Sequence, residues 1–334
     1  MKQVPRAPIS GQCQGDYLYT RDTRIEKNIG KIEHECAKVI AQVIQTGGLP
    51  RQLSKEHQKL MEFVLLQKNR TPAAGRATEE SMQKSLEFEV RGNPPPPDLD
   101  PNNLKINWVN SMLFNIVGNL PLAPALMDLS MKLLVNESGV EFITSDSPVA
   151  VVNQWCMGDP KDGSTALACA GIEIFLPISP RFTVLFYDRS IYNVGRQGSE
   201  AVVVKSPGEV RSINGLQLLT ADTNLYGKIN QEEFSKLPGQ WRGMKNDEWR
   251  MERLVSTDGK DQRINHYKPQ PNIRLKLPFV RIVQAMKQIP APVKRRTYRY
   301  PPSVVERRLK PLFFPKGMPE RPRSSAPYVL VEEG

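Results

Sequence analysis

Apolar side chains recur at helical spacing through the first part of the chain. Thr23 and Glu26 form a capping-box pattern, and the apolar repeat that follows runs until Gly47 and Gly48 interrupt it. The repeat consists of Ile25, Ile29, Ile32, Cys36, Val39, Ile40 and Val43. This pattern predicts a long amphipathic helix, and Cys36 on its apolar side is expected to be a buried thiol.

Further helices are expected up to about residue 134. Ser54 begins the second helix, which ends at the Arg-Thr-Pro triplet 70–72 because a residue before proline avoids the α region. A third helix is predicted over about 78–90, before the stiff proline run 94–97. The apolar spacing over 107–134 predicts two more helices, divided by two prolines.

The apolar pattern then changes to that of short strands. The runs are rich in β-branched and aromatic residues and are separated by turn residues, which favours an antiparallel meander. The predicted strands are Lys132–Val135, Val140–Thr144, Val149–Val152, Ile172–Pro177 and Thr183–Tyr187. A helix over 209–226 is expected to close the domain.

These elements predict an α+β fold, with a helical N-terminal half and an antiparallel β-sheet half. The domain is expected to cover 1–228, helical over 20–134 and β-rich over 132–190. A poorly defined extension over 229–289 follows it. The tail 290–334 contains nine prolines, so it is expected to be extended or disordered and to pack little against the domain.

Charge separates the tail from the domain. Residues 241–334 carry 21 Lys and Arg against 9 Asp and Glu, whereas residues 1–240 carry 25 against 26. Cations alternate with aromatic residues in the tail, a composition typical of single-stranded nucleic-acid binding and equally of an unselective basic tail. The candidate nucleic-acid-binding residues are Lys294, Arg295, Arg296, Tyr298, Arg299, Tyr300, Arg307, Arg308 and Lys310.

Several classes of protein lack support in the sequence. No apolar run is long enough to cross a bilayer and no signal peptide is present, so we expect a cytoplasmic protein that does not contact membranes. The three histidines form no metal-binding pattern, and His34 and His57 are expected to be exposed. No phosphate loop, dinucleotide fingerprint or nucleophile elbow occurs, so cofactor and oligomeric state stay unknown.

One group of polar residues is a candidate catalytic site. Asp146, beside Thr144 and Ser145, leaves a predicted strand before a proline, and Arg70 ends a predicted helix. With Glu173 and Ser179 they would supply an acid, a base and a cation. The alternative is structural, because Asp and Ser before proline form turns and an Arg at a helix C-terminus complements the macrodipole. Either way, Arg70 and Asp146 are expected to form an ion pair.

The order of these motifs resembles the domain-of-unknown-function family numbered 4238. Its members contain an Arg-Thr-Pro, a "FITSDNPV"-like strand and a "PLSP"-like strand. Here the two strands read Phe142–Val149, with Ser147 in place of Asn, and Pro177–Pro180. The family's late helix matches Asn214–Gln217 and the stretch 221–226, so the resemblance covers about 16–230.

The family's opening His-His-Tyr-Val-Pro segment is not found in this chain. No histidine precedes Asp16–Tyr19, so an activity that needs the His-His pair is not expected here. Three hypotheses follow: a nucleic-acid-associated protein acting through its basic tail, a nuclease-type hydrolase acting in cellular defence, or a catalytically inactive paralogue that acts through protein contacts. The hydrolase would use Asp146 and Glu173 as acid, base or metal ligands and Arg70 to stabilise anionic charge, with Ser145 beside them. This interpretation rests on the resemblance and on the predicted placement of these residues.

Overall fold

A computed structural model describes the helical half of the chain, its sheet and several C-terminal stretches. The described residues are 23–92, 108–156, 165–228, 232, 241, 250–256, 262–267, 274–283 and 328–331. Helices make up the N-terminal part of this set and a mixed sheet follows, which confirms the α+β class.

The described helices are five α-helices and one 3-10 helix. They are α1 (Thr23–Thr46), α2 (Lys55–Asn69), α3 (Pro72–Gly92), α4 (Trp108–Asn119), the 3-10 helix (Leu120–Leu126) and α5 (Pro207–Thr220). Cys36 is fully buried in α1, and burial raises the pKa of its thiol to about 11, so the predicted buried thiol is confirmed. Within the described residues no helix combines the length and apolar character needed to cross a membrane.

The Arg-Thr-Pro triplet is the junction between α2 and α3. The Arg70 N–H donates to Leu66 O at 3.0 Å and closes the last turn of α2. Thr71 Oγ1 accepts from Ala74 N–H at 3.1 Å, so Thr71 caps the N-terminus of α3. Pro72 then lies in the first turn, where its missing N–H costs no hydrogen bond. The predicted end of α2 is confirmed, but α3 begins earlier than predicted.

The predicted helix after the two prolines is wrong. A 3-10 helix forms instead and contains Pro124, which has no N–H for an α-helical bond. Leu129 and Leu133 are both fully buried, but Leu133 belongs to a strand. Their spacing of four residues reflects burial on either side of a helix-to-strand transition and not a continuous helix.

Eight strands are described between β1 and the end of the family-like region. They are β1 (Ser130–Asn136), β2 (Thr144–Ser145), β3 (Ala150–Val152), β4 (Glu173–Pro177), β5 (Phe182–Tyr187), β6 (Tyr192–Val194), β7 (Ala201–Val204) and β8 (Leu225–Tyr226). Five of them form one sheet in the order β3-β4-β5-β1-β7.

This sheet is mixed and not wholly antiparallel as predicted. β3, β4, β5 and β1 pair antiparallel, whereas β7 is parallel to β1, with Leu134 opposite Val202. The difference arises because the sequence pattern did not identify β7. After β5 the chain passes through β6 and returns on the outer side of β1, where it runs in the same direction as β1.

Both faces of the sheet are covered. One face packs on α2 and the 3-10 helix, in a cluster that includes Leu60, Val64, Leu126, Leu133, Ile174, Val184 and Phe186. The other face packs on α5, in a cluster that includes Leu134, Phe175, Leu185, Val202, Val210, Ile213 and Leu216. Neighbouring strand residues alternate between the two clusters, as a strand buried on both faces requires.

Four more strands are described in the C-terminal part. β9 (Arg250–Ser256) lies between β10 (Gln262–Tyr267) and β12 (Tyr328–Val331), and β11 (Val280–Ile282) pairs with β6. Tyr328–Val331 belong to the predicted tail, and there they form an edge strand. The remainder of 290–334 lies outside the described residues, and the predicted domain boundaries stay predictions.

Candidate functional site

Asn214 on α5 holds the chain that leads into β2. Its Oδ1 accepts from Ile143 N–H at 3.0 Å, and its Nδ2 donates to Glu141 O at 2.9 Å. These bonds serve the backbone where a ladder partner is missing. The predicted strand over 140–144 therefore shrinks to the short strand β2, because a helix side chain replaces the neighbouring strand.

Gln217, one turn further along α5, holds the other side of the same turn. Its Nε2 donates to Pro148 O at 2.9 Å, and its Oε1 accepts from Ser145 Oγ at 3.0 Å. Ser145 Oγ also accepts from Ser147 N–H at 3.2 Å, and the residue is buried. The Ser145 hydroxyl thus has structural partners, and neither of them is a base that would activate a nucleophile.

The Asp146 carboxylate is an anchor for the loop that follows α5. Oδ1 accepts from Asp222 N–H at 2.8 Å, and Oδ2 accepts from the N–H groups of Thr223 at 2.8 Å and Asn224 at 2.9 Å. The Thr223 hydroxyl donates to Oδ2 as well, at 2.8 Å. In return, Asp146 N–H donates to Asn224 O at 3.2 Å, next to the paired strands β2 and β8.

This hydrogen bonding decides what the Asp146 carboxylate can do. Partial burial opposes ionisation, but the hydrogen bonds from Thr223, Asp222 and Asn224 outweigh it and hold the pKa below its usual value of 3.8. A carboxylate that is ionised and saturated with donors is a poor proton acceptor and offers few lone pairs to a metal. Among the described residues no group of three or more His, Cys, Asp or Glu is arranged to hold a metal ion.

Two glycines permit close packing around this turn. A Cβ on Gly215 would lie 1.9 Å from Cε2 of the Trp241 ring, and one on Gly227 would lie 2.6 Å from Cγ2 of Ile143. Trp241 is only 5% exposed, so its indole ring lies against the α5 backbone. The Asn-Gly-Leu-Gln motif is therefore explained by packing: the amides hold the turn and the glycine admits the ring.

Arg70 contacts α1 instead of Asp146. Its guanidinium forms an ion pair with Glu33, and its Nε donates to Gln67 Oε1 at 3.1 Å. Among the described residues no ion pair joins Arg70 to Asp146, so the predicted contact between them does not form. Arg70 is correctly placed at a helix C-terminus, but the acidic residue that it pairs with lies on a neighbouring helix.

The cation near the Asp146 anchor is Arg76, which the sequence did not suggest. Arg76 on α3 forms an ion pair with Asp222, the residue whose N–H binds Asp146. Arg76 is half exposed, so solvent screens the pair. The only signal in the sequence was that Arg76 follows Arg70 by six residues, on the next helix. Helical periodicity alone does not show which of these two arginines lies near Asp146.

Ser179 shapes the hairpin between β4 and β5. Its Oγ accepts from Phe182 N–H at 3.0 Å and from Arg181 N–H at 3.3 Å. Pro180 O accepts from Phe142 N–H at 3.0 Å, which joins the hairpin to the chain before β2. The "PLSP"-like motif is thus a turn that supports the "FITSDNPV"-like motif.

Glu173 is separate from this turn and differs from it chemically. It is fully buried at the start of β4, where Oε2 accepts from Gln154 Nε2 at 3.0 Å. Oε1 has no hydrogen-bond partner among the described residues. Burial raises the pKa of this carboxyl to about 7, although Gln154 and Tyr192 partly offset the effect. Asp146 and Glu173 share no hydrogen-bonding partner, so the structure does not unite the predicted catalytic set.

His57 is buried, and its predicted exposure is wrong. Its Nδ1 accepts from Leu53 N–H at 3.0 Å, so Nε2 carries the proton and has no partner among the described residues. The bond supports Leu53, whose φ of 65° is unfavourable for a residue with a Cβ. His34 is exposed as predicted. Burial lowers the pKa of His57 to about 4.

The His57 pKa predicts a loss of stability in mild acid. Above pH 6.5 the imidazole is neutral in the folded and unfolded chains, whereas between pH 6.5 and about 4 only the unfolded chain takes up the proton. Lowering the pH from 7 to 5 should therefore reduce the unfolding free energy of the wild type by about 2 kcal/mol more than that of the variant His57→Gln. Urea titrations across this pH range measure the difference.

The control for this prediction is His34→Gln, on the exposed side of α1. It should follow the pH dependence of the wild type. A His57→Gln variant that loses as much stability between pH 7 and pH 5 as the wild type would contradict a neutral, buried His57.

All nine candidate nucleic-acid-binding residues of the tail lie outside the described residues, so their predicted role stays a prediction.

The described motifs define an α+β protein in which side chains of a buried helix hold an Asp-centred turn. A family described as "Protein of unknown function (DUF4238)" matches residues 1–231. The chain belongs to this family, as its motifs predicted. Searches of curated proteins and of solved structures found no match.

Proposed function

We propose that this is a nucleic-acid-associated protein in which the family domain is a scaffold and the segment Lys294–Lys310 binds the nucleic acid. The observation that carries the proposal is the composition of this segment: seven Lys and Arg, one Glu and two Tyr within 17 residues. Cations release counterions from phosphates, and tyrosine rings provide stacking surfaces for unpaired bases.

The described domain supports a scaffold and not an enzyme. Asp146, Ser145 and Arg70 are engaged in contacts that stabilise turns and helix ends. The basic segment would thus supply the binding, with little preference for sequence because phosphate contacts and stacking are tolerant of base identity. We place the protein in the cytoplasm, because the cysteines are scattered along the sequence without the spacing of a disulfide framework.

Fluorescence anisotropy with a labelled single-stranded oligonucleotide tests this proposal. The full chain should bind at low salt and lose roughly a hundredfold or more in affinity between 50 and 200 mM salt. A chain that ends at Ile289, and a full-length chain with Lys294, Arg295, Arg296 and Arg299 all changed to Gln, should bind far more weakly. Changing the exposed Lys27 and Lys31 to Gln removes domain charge as a control and should have little effect.

Three results would contradict the proposal. Equal low-salt affinity of the full chain and the chain ending at Ile289 would exclude the tail as the binding element. No binding by any version would exclude nucleic-acid association itself. A gain in affinity for one sequence context would point to base readout and would also overturn the phosphate-and-stacking account.

The alternative is a nuclease-type hydrolase acting in cellular defence, which one observation favours. Glu173 has a pKa raised to about 7, as a general acid would need. Its complete burial and its separation from the Asp146 partners weigh against a shared site. Cleavage of labelled nucleic acid that disappears in Glu173→Gln, with folding intact, would support the hydrolase and displace the scaffold.

A further inference from the structure

The segment 274–283 is a strap that crosses the domain from outside the family match. Leu275 and Leu277 are buried in the cluster that contains α5. Gly195 N–H donates to Phe279 O at 2.8 Å, and Val283 N–H donates to Ile191 O at 2.8 Å, around the pairing of β11 with β6. The strap therefore covers the core with apolar side chains and also joins its backbone to β6.

The strap is hydrogen bonded to the buried carboxyl of Glu173 through one side chain. Leu275 N–H donates to Gln154 Oε1 at 3.1 Å, and Gln154 Nε2 donates to Glu173 Oε2 at 3.0 Å. Gln154 has a single orientation that satisfies both neighbours, since its oxygen accepts from the strap and its nitrogen donates to the carboxyl. Gln154 therefore links the Glu173 carboxyl to the Leu275 backbone.

No cation compensates a charge on Glu173 within the described structure. Its cross-strand neighbours are Val152 on β3 and Tyr187 on β5, and Tyr192 approaches from β6. The nearest other titratable groups do not offset a carboxylate either. Cys156 follows β3, and both Asp188 oxygens accept from Gly171 and Ser190. The charged strap residues Arg274, Lys276 and Arg281 are exposed.

We propose that the protonation state of Glu173 controls docking of the strap, which is held closed by the neutral carboxyl and released by the carboxylate. Glu173 is fully buried with no cation beside it among the described residues, so the docked strap would keep an ionised carboxylate from water. Undocking would withdraw Leu275 from Gln154 and open a path for water to the carboxylate. The inference concerns the domain alone and does not depend on nucleic-acid binding.

The sign of the effect follows from linkage. Burial in the folded domain raises the pKa of Glu173 from 4.5 to about 7. In the proposal the docked strap is part of this burial, so docking is strongest below pH 4.5 and weakens as the pH rises to about 7. Each pH unit in that window should favour the undocked strap by up to about tenfold. Above about pH 7 the carboxyl is ionised in both states, and the opening equilibrium should level off.

Hydrogen exchange of the full chain between pH 5 and pH 8 tests the proposal. After correction for the intrinsic rate, exchange of the Leu275 and Val283 amides should accelerate by at least tenfold from pH 5 to pH 7 and then level off. Glu173→Gln keeps the shape but removes the titration, so its corrected strap exchange should not change with pH. The exposed control Glu137→Gln should behave as the wild type.

Infrared spectroscopy of the wild type is a second readout that does not require a stable variant. The carbonyl band of a protonated carboxylic acid should disappear over the same pH window as the strap opens. Corrected exchange that is independent of pH in the wild type would overturn the proposal. So would a Glu173→Gln variant that keeps the wild-type pH dependence, or a protonated-carboxyl band that is absent at pH 5.5.

Discussion

Changing Gly215 to alanine should lower the free energy of unfolding by about 3 kcal/mol, because there is no space for a methyl group. The added Cβ would lie 1.9 Å from Cε2 and 2.3 Å from Cζ2 of the Trp241 ring. Either the ring leaves its buried position or α5 moves away from the ring, and either movement removes apolar contacts from the core. Urea denaturation measures the change.

A matched control lies on the same helix. A Cβ on Gly208 would meet only Ser206 Oγ, at 3.5 Å, which is an ordinary contact. Gly208→Ala should therefore leave stability unchanged or raise it slightly. In a Trp241→Ala background the Gly215→Ala change should cost much less than in the wild type. Equal costs in the two backgrounds would show that the ring does not cover Gly215.

Asp146→Ala should cost about 3 kcal/mol of unfolding free energy and leave any nucleic-acid binding in place. The change removes the acceptor for three backbone N–H groups and a hydroxyl, in a loop where water satisfies only part of the loss. Asp146→Asn keeps one acceptor oxygen, so its unfolding free energy should lie between those of the wild type and Asp146→Ala. Thermal denaturation together with anisotropy titrations measures both properties.

The pH dependence of Asp146 runs opposite to that of Glu173. The Asp146 pKa is lowered from 3.8, so its stabilisation is present above that value and is lost as the pH falls through the lower, folded-state pKa. The difference in stability between wild type and Asp146→Ala should thus narrow in strong acid. An Asp146→Ala protein that is fully stable but has lost nucleic-acid binding would contradict the anchor and return Asp146 to a functional site.

The sequence predicted those parts of the fold that are decided locally. The glycines after α1 and the Arg-Thr-Pro triplet both act within a few residues, and the C-terminal ends of α1 and α2 followed from them. The burial of Cys36 was predicted for the same reason, because helical periodicity alone assigns its face. Local rules failed where a proline pair ended the α-helix and a 3-10 helix took its place.

The parts that were missed depend on partners far away in the chain. Asp146 binds backbone groups 76 to 78 positions later, and no local pattern distinguishes such an anchor from a catalytic carboxylate. β7 was missed for a similar reason, since its parallel partner β1 lies far earlier in the sequence. The burial of His57 depends on the tertiary packing over α2, which helix periodicity does not contain.

The candidate site shows the same division. The Asn-Gly-Leu-Gln helix and the "FITSDNPV"-like segment meet in space, a contact that the sequence did not predict. The residue types also did not reveal that this contact is structural and not catalytic. Asn214, Gln217 and Asp146 satisfy backbone groups at a place where the sheet provides no strand, so polar residues in a motif serve the fold there.

Amide hydrogen exchange at Asp222, Thr223 and Asn224 tests the structural role of Asp146 most directly. The three N–H groups are donated to the Asp146 carboxylate, so they should be protected in the wild type despite their position in a surface loop. In Asp146→Ala all three should exchange much faster, while the Ile143 amide, held by Asn214, keeps its protection. Unchanged exchange of the three amides in Asp146→Ala would contradict the account.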